Sequence, residues 1–401
     1  FSEIDLKGRF LSYDRLNDEI SNYQLSLFNP SRYVLPQFKA QYEARNILNF
    51  SQENREKFLI GMMKVNFLKR LESSVHSFAI TMERTVAKIE DLENRLRQFQ
   101  EDRQAEADDV QPDFFAEPEE EDEDLAEAFQ VGGKLRFQME HLDVEAWLKD
   151  LSTDKQQLSL LADAAQSVDA KRDAKLAELK KIIEHKVKQP TTNAGGQENR
   201  KIIVFCAFAD TATYLYEELE EWALKKLNVH IALVSGGAKP NRTTFGHADF
   251  TQILINFAPR AKQRAKMKSM PQDGEIDILI ATDCISEGQN LQDCDLLVNY
   301  DIHWNPVRII QRFGRIDRIG SPNSAIQLVN FWPTPDLNKY INLKNRVEAR
   351  MALVDIAATA EDNILQAEDL RELIQEDLRY RDKQLLRLKD EVLDLEDFNE
   401  S

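Results

Sequence analysis

Ile276-Asp277-Ile278-Leu279-Ile280-Ala281-Thr282-Asp283-Cys284-Ile285-Ser286-Glu287-Gly288-Gln289-Asn290-Leu291-Gln292 is the stretch that decides the fold. Its first six residues are almost wholly apolar and rich in isoleucine, the pattern of a strand buried on both faces. The strand runs into a loop with a hydroxyl at Thr282, a bare Gly288 and amides. Outward from it, Ile202-Ile203-Val204-Phe205, His230 to Val234, Leu296 to Asn299 and Ala325 to Phe331 read as further strands. Between them lie helical patterns. One starts at Asp210, taken as its cap, and carries Tyr214, Leu215, Leu219 and Trp222; another carries Phe250, Ile253 and Leu254; a third opens at Asn305-Pro306, with Asn as N-cap and Pro as first helical residue. Strands alternating with helices imply an α/β fold, a parallel sheet covered by helices on both faces. Ligands in such folds sit beyond the carboxyl ends of the strands, where two polar segments emerge, Thr282 to Gln292 and Gln311 to Gly320.

The whole chain has 401 residues and a net charge of −18. Between Arg200 and Asp336 the charges nearly cancel, so the acidity lies in the surroundings. Apolar residues from Leu68 through Leu71, Val75, Phe78, Met82, Val86, Ile89, Leu92 and Leu96 to Phe99 recur at heptad-like spacing and predict one long helix. Leu158, Leu161, Ala165, Val168, Leu176, Leu179 and Ile183 form a second, looser stripe, and an antiparallel helical hairpin covers both. At its tip, Glu117 to Glu127 places eight acidic residues in eleven beside Pro112, Pro118 and Gly132-Gly133. Such a run repels itself, so a disordered loop is expected near 103–132, as a solvated insert or as an acidic tether over a basic nucleic-acid path. The aromatics Tyr13, Tyr23, Phe28, Tyr33, Phe38 and Tyr42 lack a sustained period, and are expected to pack on a neighbour outside the segment. The expected organisation is a helical and irregular segment over 1–55, the hairpin over 56–188, the α/β lobe over 189–337 and C-terminal helices over 338–401.

An acidic chain argues against coating duplex DNA or an anionic membrane through bulk charge. Cys206, Cys284 and Cys294 show neither CxxC nor a partnering His, against a disulfide framework or structural metal. With no apolar run of membrane-spanning length and no leader, a cytoplasmic protein without membrane contact is expected. The chain opens on Phe1 and ends inside a charged helical pattern, which suggests a piece of a longer polypeptide.

Gln311-Arg312-Phe313-Gly314-Arg315-Ile316-Asp317-Arg318-Ile319-Gly320 carries the chemistry. On a helix Arg315 and Arg318 would share a face one turn after Gln311, and two guanidinium forks suit a polyanion such as a triphosphate. A second basic group, Arg260, Lys262, Arg264, Lys266 and Lys268, reads as a solvated helix face or as a track along a phosphate backbone.

IATDCISEGQNLQ (280–292), DLLVNYDIHWNP (295–306) and QRFGRIDRIG (311–320) together resemble motifs V and VI of superfamily 2 helicases, specifically the Swi/Snf-like branch that contains the RapA (HepA) proteins. KIIVFCAFADTATYLYEEL (201–219) resembles motif IV, and Asn66 to Ser74 resembles a helix opening found between the two lobes. The resemblance implies a RecA-like carboxyl-side lobe of an ATP-dependent DNA helicase or translocase. It makes Arg318 the arginine finger on the γ-phosphate and Arg315 its companion at the interlobe cleft, with Gln311 orienting the helix. Gly288 and Asn290 fall near the nucleotide ribose. Thr282 touches the nucleic-acid backbone, where Arg260, Lys262, Arg264 and Lys266 would extend the track; DNA is expected over RNA, without sequence specificity. Glu287 stands where many helicases have Arg, so no phosphate contact is carried over there. No GxxxxGK[ST] occurs, nor a strand ending in Asp-Glu-x-His. ATP and Mg are therefore expected to sit mainly on an upstream RecA-like lobe of the same polypeptide, and the chain alone to be inactive. The alternative is a non-catalytic RecA-like scaffold that binds a partner through its acidic hairpin.

Overall fold

The computed structural model describes residues 4–43, 52–101, 109–110, 137–236, 240–285, 289–302, 306–318 and 320–332. The acidic run Glu117 to Glu127, Gly288, the Asn305 cap and the helices expected over 338–401 lie outside them. Helices run over Tyr13–Ser21 (α1), Lys39–Glu43 (α2), Gln52–Ser73 (α3), Val75–Glu101 (α4), Val144–Gln166 (α5), Ala174–Lys188 (α6), Ala209–Trp222 (α7), Phe250–Phe257 (α8) and Pro306–Phe313 (α9). The main sheet holds Ile202–Phe205 (β1), His230–Val234 (β2), Arg242–Thr243 (β3), Ile276–Ala281 (β4), Leu296–Asn299 (β5) and Gln327–Asn330 (β6).

Two compact units divide the chain, one of residues 1–16, 69–80 and 163–351, the other of 17–68, 81–162 and 352–401. In the first, the strand order is β6-β5-β1-β4-β2-β3, parallel except for the antiparallel edge pair β2 and β3. β1 lies centrally, with Ile202 level with Ile278 on one side and Leu296 on the other. Every residue of β1 is buried, as an apolar strand covered on both faces must be. One face packs Ile202, Val204, Ile278 and Ile280 against Leu176, Leu179 and Ile183 of α6 and Leu215 and Leu219 of α7. The other packs Ile203, Phe205 and Leu279 against Ile253, Leu254 and Phe257 of α8. The fold is thus mixed α/β, a mostly parallel sheet flanked by helices.

Three expectations change. The long helix from Leu68 to Phe99 divides at Ser74, whose hydroxyl accepts from the Ser77 N–H at 2.9 Å as an N-cap does. The second stripe divides too: α5 ends at Gln166, and Leu176, Leu179 and Ile183 belong to the lobe core, with Asp173 capping α6 through Leu176 N–H at 2.9 Å. Asp210 does not cap α7, which begins at Ala209; its carboxylate instead meets the buried Arg70 at 3.4 Å.

In the second unit the aromatics near the amino end have a partner within the chain. Tyr33 stacks on Trp147 of α5 with 5.4 Å between centroids and donates to Asp150 at 2.8 Å. The Trp147 indole donates to the Ser26 carbonyl at 2.9 Å, and Asp154, buried at the foot of this contact, accepts from the Ser26 N–H at 2.6 Å and from its hydroxyl. Burial nonetheless raises the pKa of Asp154 above the usual carboxylate range, against the opposing pull of those hydrogen bonds. α4 and α5 meet at Glu93 and Lys155, 2.6 Å apart.

Candidate functional site

The carboxyl ends of the parallel strands β1, β2, β4 and β5 open on one edge of the lobe, and those of β2, β4 and β5 lead into polar residues. After β4, Thr282 is buried and takes a backbone bond from its N–H to Val234 O at 3.2 Å. Its hydroxyl accepts from Gly236 N–H, 3.2 Å away, which ties the loop after β2 to the loop after β4. A Cβ on Gly236 would stand 3.0 Å from the Cys284 Cβ, so a larger residue here would press the two loops apart by a few tenths of an ångström. Beside it the Ser235 hydroxyl is buried and has no hydrogen-bond partner among the described residues.

After β5, Asp301 is a buried hub. It accepts from Ala207 N–H at 2.9 Å, Ser73 Oγ at 2.8 Å and Lys175 Nζ at 3.0 Å. Lys175 also donates to the carbonyls of Glu72 and Ser73 at 2.8 and 3.0 Å, and Ser73 and Thr211 share a 2.5 Å hydroxyl contact. The end of α3 is thereby fastened to the starts of the loops after β1 and β5. The Glu72 carboxyl is pushed up to about 8, first by burial and then by Asp301, against Lys175 and Lys69.

The segment expected to be one helix from Gln311 to Gly320 stops at Phe313, and turns follow. Pro306 opens that helix as its first residue. Arg315 and Arg318 therefore do not share a helix face. Leu291 N–H donates to the Arg315 carbonyl at 3.0 Å, the Gln292 amide to Gly320 O at 3.2 Å, and the Asn323 amide to Gln292 O at 3.0 Å. These bonds stitch the loop after β4 to the turn after α9. Arg315 is buried at 7 % exposure, and Gln311 is partly exposed on α9. Arg318 is partly exposed; its Nε donates to Gly314 O at 3.0 Å and its Nη1 to Asn290 Oδ1.

Arg312, which sequence reasoning passed over, is 2 % exposed. It grips Asp283 bidentately, Nε and Nη2 each 2.7 Å from a carboxylate oxygen, while Nη1 reaches Asn299 Oδ1 at 3.0 Å and Asp301 O at 2.9 Å. Its position could have pointed to it, since it lies on α9 three residues after Ile309, which is fully buried, and so shares that helix face.

The basic segment is not a helix with alternating charges. It is a series of turns with a single 3-10 turn at Arg264–Lys266. Arg264 is buried and donates to Asn256 Oδ1 at 3.1 Å, so its charge faces inward. Arg260, Lys266 and Lys268 are exposed, and Lys262 is partly covered, its Nζ 2.5 Å from Gln289 Oε1. All three cysteines are free; burial raises the Cys206 thiol far above its ordinary range and holds Cys294 at about 12, which leaves both unreactive.

Residues 174–320 match the family model described as the helicase conserved C-terminal domain. The chain is 33% identical over 120 residues to the uncharacterized ATP-dependent helicase YqhH of Bacillus subtilis, covering 30% of this chain and 17% of that protein. It is 25% identical over 161 residues to the probable ATP-dependent RNA helicase ddx51 of Dictyostelium discoideum, 40% of this chain and 24% of that one. It is 29% identical over 126 residues to the ATP-dependent DNA helicase MPH1 of Pyricularia oryzae, 31% and 10% respectively. The matches thus span a quarter or less of each of these relatives, and the names cover both RNA and DNA helicases. The family match runs from the first residue of α6 to the turn after α9, and so takes in β1 to β5 of the main sheet and the loops that carry the site.

Proposed function

We propose that this chain forms the carboxyl-side half of an ATP-dependent DNA helicase or translocase of the Swi/Snf-like kind, working in the cytoplasm and closing on an upstream RecA-like lobe of the same polypeptide. The observation that carries the reading is the contrast between two arginines six residues apart. Arg312 is neutralised by Asp283, whereas Arg318 is held by a carbonyl and an amide and forms no ion pair among the described residues. A partly exposed guanidinium, oriented but not neutralised, is suited to an incoming anion. ATP supplies that anion as its γ-phosphate, whose equatorial oxygens gather charge during phosphoryl transfer.

In this reading Arg318 stabilises that charge and Arg315 lies beside it at the cleft. Asn290, already bonded to Arg318, takes the ribose together with Gly288, which lies outside the described residues, and Gln311 orients α9. Mg accompanies ATP mainly on the upstream lobe in this reading; among the described residues no group of three His, Cys, Asp or Glu is placed to hold a metal ion, and no step is assigned to the ion here. Thr282 meets the nucleic-acid backbone, supported by the Ser235 hydroxyl beside it, which has no partner among the described residues. Arg260 and Lys266 extend that contact, while Arg264 serves the fold. DNA is favoured by the spelling of the motifs, and comparing affinity for deoxyribose and ribose duplexes of one sequence tests that part.

The decisive experiment is Arg318→Ala in the full-length helicase. We expect kcat for ATP to fall about 10²–10⁴-fold with the melting temperature unchanged, because the interaction is made mainly in the transition state. An unaltered kcat removes the finger assignment.

A further inference from the structure

We propose that Lys262 is a second phosphate-binding cation of the nucleotide cleft, paired with Arg318, and not part of a nucleic-acid track. The inference deepens the reading of Arg318 given above and rests on it for the identity of the natural ligand.

Placement comes first. The buried carboxylate of Asp293 accepts from Arg260 N–H at 2.7 Å and Ala261 N–H at 2.9 Å. That clamp sets the turn after α8 against the loop that follows β4. Lys262 comes next in the chain, and its ammonium lies 2.5 Å from Gln289 Oε1. The adjacent amide, Asn290, accepts from Arg318. Two neighbouring side-chain amides thus hold two cations side by side.

Charge comes second. Neither Lys262 nor Arg318 forms an ion pair among the described residues, although the chain as a whole is strongly acidic. The ammonium is destabilised first by burial and then by the Arg318 charge, and its pKa is lowered accordingly. Like charges held together by neutral amides repel one another until an anion enters between them. Both side chains are partly exposed, so an anion can reach them. Lys266 and Lys268 provide an internal contrast, since both stand in the open and Lys266 is bonded only to Gln263 at 2.9 Å. A polyphosphate fits the pair because adjacent phosphoryl groups present oxygens to an ammonium and a guanidinium at once.

The test uses this 401-residue chain and inorganic tripolyphosphate, with lysine acylation by an N-hydroxysuccinimide ester read by mass spectrometry. At about ten times its Kd, tripolyphosphate should slow acylation of Lys262 about tenfold, since only the ligand-free fraction reacts. Lys266 and Lys268 should be unaffected, and Arg318→Gln should reduce the protection. The proposal is overturned if tripolyphosphate leaves Lys262 unprotected, if it protects all three lysines equally, or if a single-stranded oligonucleotide of matched phosphate concentration protects Lys262 better. The two readings fail separately. Protection of Lys262 with an unaltered kcat in Arg318→Ala would sink the finger and leave the anion site. A lowered kcat without protection would sink this proposal alone.

Discussion

At the scale of single residues, the molecule distinguishes arginines that build the lobe from those that face out of it. Arg312 has its charge matched by Asp283, its planar fork matched by two carboxylate oxygens, and the Phe205 ring 5.2 Å from its guanidinium carbon. Replacing it with Ala should therefore lower stability by about 2–4 kcal/mol, measured by urea unfolding, because a partly buried carboxylate is left without its partner. Arg312→Lys should recover only part of this, since an ammonium cannot bond both oxygens in parallel. Arg264→Ala should also destabilise, whereas Lys266→Ala should stay within about 0.5 kcal/mol of the parent. An equal effect of the two would contradict the inward placement of Arg264. Sequence reading chose Arg315 and Arg318 by motif and weighed the basic cluster by charge alone. Charge says nothing of direction, so buried Arg264 and exposed Lys266 looked alike, while the only sign of Arg312 was its place three residues after Ile309.

At the scale of elements, strands were legible, and helix ends were not, apart from the start of α9 at Pro306. β1, β2, β4 and β5 fall where uniform apolar runs put them, because a strand buried on both faces leaves no alternative reading. The two-residue edge strand β3 has no such signature and went unread. The division at Ser74 escaped because the heptad spacing continues across it while the capping hydroxyl interrupts only the local backbone. That division matters, for it places Glu72 beside Lys175 and Asp301. A carboxyl whose folded pKa is near 8, against 4.5 when unfolded, binds its proton more tightly in the folded state. Stability must therefore fall as pH rises between those values and level off above the folded one. Melting temperatures from pH 5 to 9 should show this decline, and Glu72→Gln, which keeps the shape without the charge, should flatten it and raise stability at pH 8. A slope unchanged by Glu72→Gln would place the titration elsewhere.

At the scale of the whole molecule, charge and chemistry are separated along the chain. The lobe is nearly neutral while the chain carries −18, so any nucleic acid must be met by a few cations against an unfavourable net field. The motifs for that lobe could be read because each gathers its residue types at fixed spacing within a short stretch; the in-chain partner of the aromatic segment could not, since Tyr33 and Trp147 are more than a hundred residues apart. Burial of Arg264 and the pairing of Lys262 with Gln289 reduce the expected backbone track to Arg260, Lys266 and Lys268. Each cation that meets a phosphate adds about one unit to the slope of log affinity against log salt. In the full-length protein, changing Arg260 and Lys266 together to Ala should thus weaken duplex binding and flatten that slope by about two units. Lys262→Ala alone should leave the slope as it was and raise the KM for ATP. If the double variant keeps the parent slope, the exposed cations are a solvated surface, and contact with the backbone falls to Thr282 and the loop after β4.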